Sequence, residues 1–349
     1  LDSTHKSNIF NWLERLTISG NTPLRSALNR AGQYFMLSGL NSPYAQNPYV
    51  TLGTEYSCRK NFHVLFTDGL WNSETFTFPG TNTNPDSTGT TTLGDSITLS
   101  DGTIISSYSP RSPYKDMGSI YPKSYTNTRS LADLAFYYWA KDLRDTLDNN
   151  VSPNMVDFSG TPTEQFWNSR NNPATWQHMV NFTIGLGLST SLVSKCHYQT
   201  GTSLIDDPNN PNPGCPVWAG STYSGDYNLL VSGHRNWPRI NTSPTLNEEP
   251  DGHVYDLWHA AINSRGKFYS AENPSDLISA FEDIMNTITS AAASGGGARV
   301  SSNLARITEA NPTACLARFN ADWSGTLEAF PFNADGSLGA TPYWEAGSL

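Results

Sequence analysis

Apolar positions along the 349-residue chain fall into two patterns that alternate, helical spacing of three and four residues and short unbroken apolar runs. Ile9, Phe10, Leu13 and Leu16 share one face of a first helix that ends near Ser19-Gly20. Leu24, Leu28, Ala31 and Phe35 define a second, with Thr22 placed as its N-cap and Pro23 at its first position. A buried strand over 62–67 then delivers Asp68 and Gly69 to its carboxyl end. Ser130 and Asp133 form a capping box at the head of a third helix carrying Leu131, Leu134, Ala135, Tyr138 and Leu143. The strand over 179–186 is mostly apolar, as expected of a parallel strand covered on both faces. Val254, Leu257, Trp258 and Ala261 mark another helix closing near Gly266, followed by a short strand over 267–270. Asn273 caps and Pro274 opens the last helix, striped by Leu277, Phe281, Ile284 and Ile288.

Helices alternating with apolar strands predict an α/β fold with a doubly wound, mostly parallel sheet. Two stretches lack any sustained period, about 70–128 and 189–250, and read as polar β and loop insertions, the first with a hairpin turn around Ser100-Asp101-Gly102. Residues 1–290 thus form one unit with insertions. An Ala/Ser/Gly-rich tract over 291–312 reads as a flexible linker. Residues 313–349 begin a second unit, with strands expected at 315–319 and 326–332, too few for a stable sheet of their own.

Composition narrows the partners. Charged residues are 15% of the chain, well below the usual quarter, so solubility rests on neutral polar groups, and the chain reads as an exported, loop-rich protein. The net charge of -10 argues against a nucleic-acid partner, which needs clustered Lys and Arg. No apolar run is long enough to span a membrane, and the opening Leu1-Asp2-Ser3 lacks a signal-peptide pattern, which reads as a mature chain, a trimmed one or a fragment. Cys58, Cys196, Cys215 and Cys315 include no C-x-x-C pair, so disulfides are a better reading than zinc. Cys196 and Cys215 are placed to staple the Pro/Asn/Asp-rich stretch between them, but the spacing does not choose among the connectivities.

The candidate chemistry lies at the carboxyl end of the first strand, where ligands bind in open parallel sheets. Asp68 offers a carboxylate and Thr22 a hydroxyl, and the two segments are expected to face each other across that rim as ligands of a hard divalent cation. Each has a plain alternative: Thr22 as a helix cap and Asp68-Gly69 as turn punctuation. His253, Asp256 and His259 spell H-x-x-D-x-x-H, but histidines six residues apart on a helix lie about 9 Å apart along its axis on different faces and cannot share one ion. His63 reads as an interior histidine without a nearby nucleophile. Glu248-Glu249 in a Trp- and Tyr-rich chain leaves a carbohydrate-active hydrolase as a minor alternative.

The segments Gly20-Asn21-Thr22-Pro23-Leu24-Arg25-Ser26-Ala27-Leu28, Cys58-Arg59-Lys60-Asn61-Phe62-His63 and Thr67-Asp68-Gly69-Leu70-Trp71-Asn72 resemble the von Willebrand factor A domain of the PilY family of type IV pilus tip adhesins. Leu131-Ala132-Asp133-Leu134, Trp176-Gln177-His178-Met179, Asp256-Leu257-Trp258-His259 and Asp322-Trp323-Ser324-Gly325 continue the resemblance in the same order, over about 8–332 and outside the two insertions. It implies an A domain followed by the opening strands of a β-propeller, in a non-enzymatic, exported protein at the pilus tip or cell surface. Implied partners are minor pilins and a host or abiotic surface receptor, with roles in pilus biogenesis, attachment and surface sensing. It also implies a metal-ion-dependent adhesion site for Mg²⁺, Mn²⁺ or Ca²⁺, in which Thr22 and Asp68 match two ligands. The D-x-S-x-S loop that supplies the others is missing, as expected if the chain begins after the first strands of the sheet. Asp86-Ser87-Thr88-Gly89-Thr90 and Asp322-Trp323-Ser324-Gly325-Thr326 match that pattern but lie in an insertion and beyond the linker, and are set aside. A tip scaffold that docks minor pilins without metal fits the same residues.

Overall fold

A computed structural model of the chain describes residues 3–15, 22–46, 53–68, 71, 76–116, 129–188, 192, 199–200, 203–204, 216–238, 252–293, 313–319, 325–331, 341 and 343–345. In chain order the elements are α1 (Ser3–Glu14), α2 (Leu24–Phe35), β1 (Asn61–Thr67), β2 (Thr91–Thr98), β3 (Ile104–Tyr108), α3 (Leu131–Ala140), α4 (Pro162–Trp167), β4 (Met179–Leu186), β5 (Gln199–Thr200), β6 (Ser203–Leu204), α5 (Tyr227–Val231), α6 (Gly252–Asn263), β7 (Phe268–Ala271), α7 (Pro274–Ala293), β8 (Thr313–Phe319), β9 (Gly325–Pro331) and β10 (Trp344–Glu345).

Three parallel strands in the order β1-β4-β7 make the central sheet, with β1 paired to β4 from Asn61↔Met179 to Thr67↔Gly185 and β4 to β7 from Thr183↔Phe268 to Leu186↔Ala271. Alternate residues of β4 serve opposite faces. Val180, Phe182 and Ile184 pack with Ala271 against Ala280 and Ile284 of α7. On the other face the Asn181 amide donates to the Ser264 hydroxyl and the Thr183 hydroxyl to the Leu257 carbonyl, anchoring α6 and the turn after it. α2 and α3 lie on this same side, so helices cover both faces and the sheet is doubly wound. Gly266 is required where the chain turns from α6 into β7, because a Cβ there would overlap the Asn181 carbonyl.

The expected capping box at α3 is present, with Ser130 and Asp133 exchanging side-chain and backbone bonds. So is the Asn273 cap, whose side-chain oxygen accepts from the Asp276 amide at 3.0 Å. The cap expected of Thr22 is not. Pro23 keeps ψ at 59°, outside the helical region, so α2 starts one residue later and Pro23 occupies the cap position without a side-chain bond. α1 forms where expected, but Ile9, Phe10 and Leu13 are exposed, and Leu16 lies outside the described residues.

The two stretches read as polar insertions contribute to the main core. Hairpin β2–β3 turns at Ser100-Asp101-Gly102 as expected, with Gly102 at φ 85°. Phe78, Leu93, Tyr108 and Tyr114 from the first stretch, and Tyr227, Leu230 and Trp237 from the second, are buried with α3 and α6. Isolated aromatics give no sequence period, yet each buries a large apolar ring whose polar edge finds a partner. The Tyr108 hydroxyl donates to the Asp86 carbonyl, that of Tyr114 to the Trp167 carbonyl, and the Trp237 indole to the Pro113 carbonyl. Helix α4, closed at its head by a Thr161–Glu164 capping box, has no counterpart in the periodicity reading.

α7 runs to Ala293, past the expected start of the linker, and 294–312 lie outside the described residues. Near the C-terminus β8, β9 and β10 form a separate antiparallel sheet in the order β10-β9-β8. Cys58 is an exposed free thiol, and the expected Cys196–Cys215 pairing lies outside the described residues. Among the described residues no helix is long and apolar enough to cross a membrane.

Candidate functional site

The rim is assembled by four segments that converge beside the carboxyl end of β1. Asp68 follows Thr67 directly and is exposed, while Thr22 is partly buried two residues before α2. Arg25, in the first turn of α2, lays its guanidinium 4.0 Å from the Trp71 ring and 5.3 Å from Phe76. Its Nη1 also donates to the Arg129 carbonyl at 3.3 Å, just ahead of α3. The Arg25–Trp71 contact thus brings the head of α2 to the segment after β1.

Asp256 of α6 holds this arrangement from below. Its carboxylate accepts the Trp71 indole N–H at 3.1 Å and the Leu131 and Ala132 amides at 2.9 and 3.0 Å. Two orphan amides of a helix N-terminus and the positive end of its dipole are a natural seat for a carboxylate. Burial nonetheless pushes the Asp256 carboxyl up to about 6, against the lowering pull of these bonds and of Arg25. The sequence places Asp256 in a segment of the family resemblance and in a spurious metal pattern but gives it no role, because that role depends on α3, far away in the chain.

The two histidines of that pattern do diverge. His253 meets Trp71 edge-on at 4.3 Å. His259 donates from Nε2 to the Tyr114 carbonyl at 2.6 Å and stacks on Trp237 at 4.5 Å, and burial holds it well below the ordinary imidazole range. His63 reaches from Nδ1 across to Asn181 Oδ1 at 2.8 Å, an interior histidine as expected.

As hard-oxygen ligands Thr22 and Asp68 fit a divalent cation in kind, because neither side chain makes a hydrogen bond to another described residue. They are a partial set. Among the described residues no three Asp, Glu, His or Cys side chains converge as a metal cage.

A second group of oxygens lies deeper, at the junction of the first insertion with α3 and α6. Asp86, Asp116 and Asp133 are all buried there, beside Asn84 and Asn263. Burial and mutual repulsion raise the carboxyls of Asp86 and Asp133 well above the ordinary range. The loop carrying Asp86 lies in the stretch whose sequence pattern reads as a polar insertion, and that stretch is part of the core.

Three curated relatives match the chain. The type IV pilus biogenesis factor PilY1 of Pseudomonas aeruginosa strain PAK is 39% identical over 355 residues, covering 99% of this chain and 26% of its own length. The protein of the same name from strain PAO1 gives the same identity and coverage. That of strain UCBPP-PA14 is 42% identical over 286 residues, covering 82% of this chain and 20% of its own length. The chain therefore spans about a quarter of the length of the curated relatives it matches. No family model and no solved structure matches.

Proposed function

Because the chain belongs to the PilY family, we propose that it serves type IV pilus biogenesis at the cell surface as a non-enzymatic adhesion and assembly module. In this reading 1–290 are a von Willebrand A-like domain, 291–312 a linker and 313–349 the opening strands of a propeller. Minor pilins and a surface receptor are its partners. The observation that carries the reading is the meeting of the α2 head with the segment after β1, through Arg25 and Trp71, beside Thr22 and Asp68. A carboxylate and a hydroxyl at an open sheet rim suit a divalent cation whose remaining position a partner's carboxylate fills.

The test is partner binding by the full-length protein with and without divalent cation. Asp68→Ala is expected to abolish the cation-dependent part of the affinity while leaving the far-ultraviolet circular dichroism unchanged. Equal affinity in chelator and in excess Mg²⁺ would refute the metal role and leave a scaffold that docks without a cation.

A further inference from the structure

Arg265 follows the end of α6 with φ 65°, at the place where a helix is usually closed by glycine. A long cationic side chain is held there by its surroundings, not by backbone preference. Its guanidinium carbon lies 4.3 Å from the centre of the Tyr114 ring and 4.2 Å from that of Trp139, and Nη1 donates to the Tyr114 hydroxyl. Arg265 is only 8% exposed, yet among the described residues no acceptor reaches Nε or Nη2. Buried donors of this kind call for a partner.

Nε and Nη2 form one edge of the guanidinium fork, and their parallel N–H bonds match the two oxygens of a carboxylate. Arg265 also lines a cavity of about 30 Å³ at the amino ends of β1 and β4, together with Lys60, Asn61, Asn172, His178 and Thr287. No Asp or Glu is among its lining residues, in a chain of net charge -10. Burial holds His178 neutral, down at about 4, with Nδ1 donating to the Trp176 carbonyl and Nε2 accepting from Asn172. The charges on the cavity wall are therefore Lys60 and Arg265, both positive. Burial lowers Lys60 to about 8 and Arg265 to about 9, and Arg111 adds repulsion at Arg265.

The volume is enough for roughly two waters, which satisfy the N–H groups without countering the buried charge. A phosphate ester or a sugar is too large. Chloride supplies the charge but presents a single point to a two-pronged edge. We propose that this cavity takes a carboxylate, bound through Nε and Nη2 of Arg265 with Lys60 as the second cation, from a small acid or from the free end of a peptide. The site lies at the opposite end of the sheet from the Thr22–Asp68 rim and shares no residue with it.

The experiment titrates the full chain with sodium acetate, and separately with sodium chloride at matched ionic strength, following thermal unfolding and the proton resonance of Arg265 Nε–H. A second arm uses N-acetyl-triglycine with its end free or amidated. Acetate is expected to raise Tm saturably and to move the Nε–H resonance downfield, whereas chloride does neither. A response to the free but not the amidated peptide adds a chain end as a source; silence of both with acetate active restricts the ligand to small acids. Arg265→Lys and Lys60→Gln should each weaken acetate binding by about tenfold, the worth of one charge-assisted hydrogen bond, while Asp68→Ala binds as wild type does. Should Arg265→Lys fail to fold, Lys60→Gln and the wild-type resonance decide. The proposal is overturned if acetate leaves that resonance unmoved, if chloride moves it as far, or if either folded variant binds acetate as wild type does.

Discussion

Removing the Asp256 carboxylate tests whether one buried side chain organises the rim. Asp256→Ala leaves the Trp71 indole and the Leu131 and Ala132 amides without their acceptor in a region closed to water. Each stranded donor costs about 1–3 kcal/mol, giving roughly 3–9 kcal/mol in all. The ionised carboxylate is itself disfavoured by burial, and its rise from 3.8 to about 6 is worth roughly 3 kcal/mol, which the substitution recovers. A net loss of about 3 kcal/mol follows, with the upper range reached if no water reaches the cavity. Urea unfolding followed by tryptophan fluorescence measures it, and Trp71 emission should shift to the red in the native baseline as its indole loses its partner. A loss below about 0.5 kcal/mol, the level of an ordinary surface substitution, would refute the hub and with it the coupling of α3 to the rim.

The same carboxyl makes a pH prediction. Its folded-state value lies above the ordinary one, so its contribution to stability is fully present below about pH 4 and is lost as pH rises through about 6. Relative to Asp256→Asn, wild type should therefore lose roughly 3 kcal/mol between pH 4 and pH 7 in urea titrations, and parallel pH profiles would contradict it. On the far side of the molecule Arg144 pairs with both oxygens of Glu55 at 2.6 and 2.8 Å and also donates to the Leu37 carbonyl and Ser42 hydroxyl. Arg144→Ala should cost about 3 kcal/mol in the same assay, since breaking a mostly buried pair strands the partners. Arg144→Lys should recover only part of that, because an ammonium cannot bridge both Glu55 oxygens in the same geometry.

Sequence legibility followed the range of the interaction. β1, β4 and the α3 capping box were readable because periodicity and caps are settled within a few residues. The Thr22 cap failed on a single backbone angle at Pro23 that residue preference does not fix. Tyr108, Tyr114 and Trp237 looked like loop aromatics because their burial is decided by α3 and α6, distant in the chain. Of the site, the meeting of α2 with the end of β1 followed from fold logic. The hub at Asp256 did not, since its carboxylate meets the Leu131 and Ala132 amides more than a hundred positions away with no local signature.

The indoles sewn to distant carbonyls set how this surface can diversify. Trp237 is tethered to Pro113 and Trp258 to Thr222, so each excursion of the chain is stitched down at its base by a ring that has nowhere else to donate. Trimming either excursion at the root would expose a wide aromatic seam and leave a donor adrift. Exchanging only the tips disturbs none of this. Substitutions in either stretch should therefore spare the residues that hold these indoles.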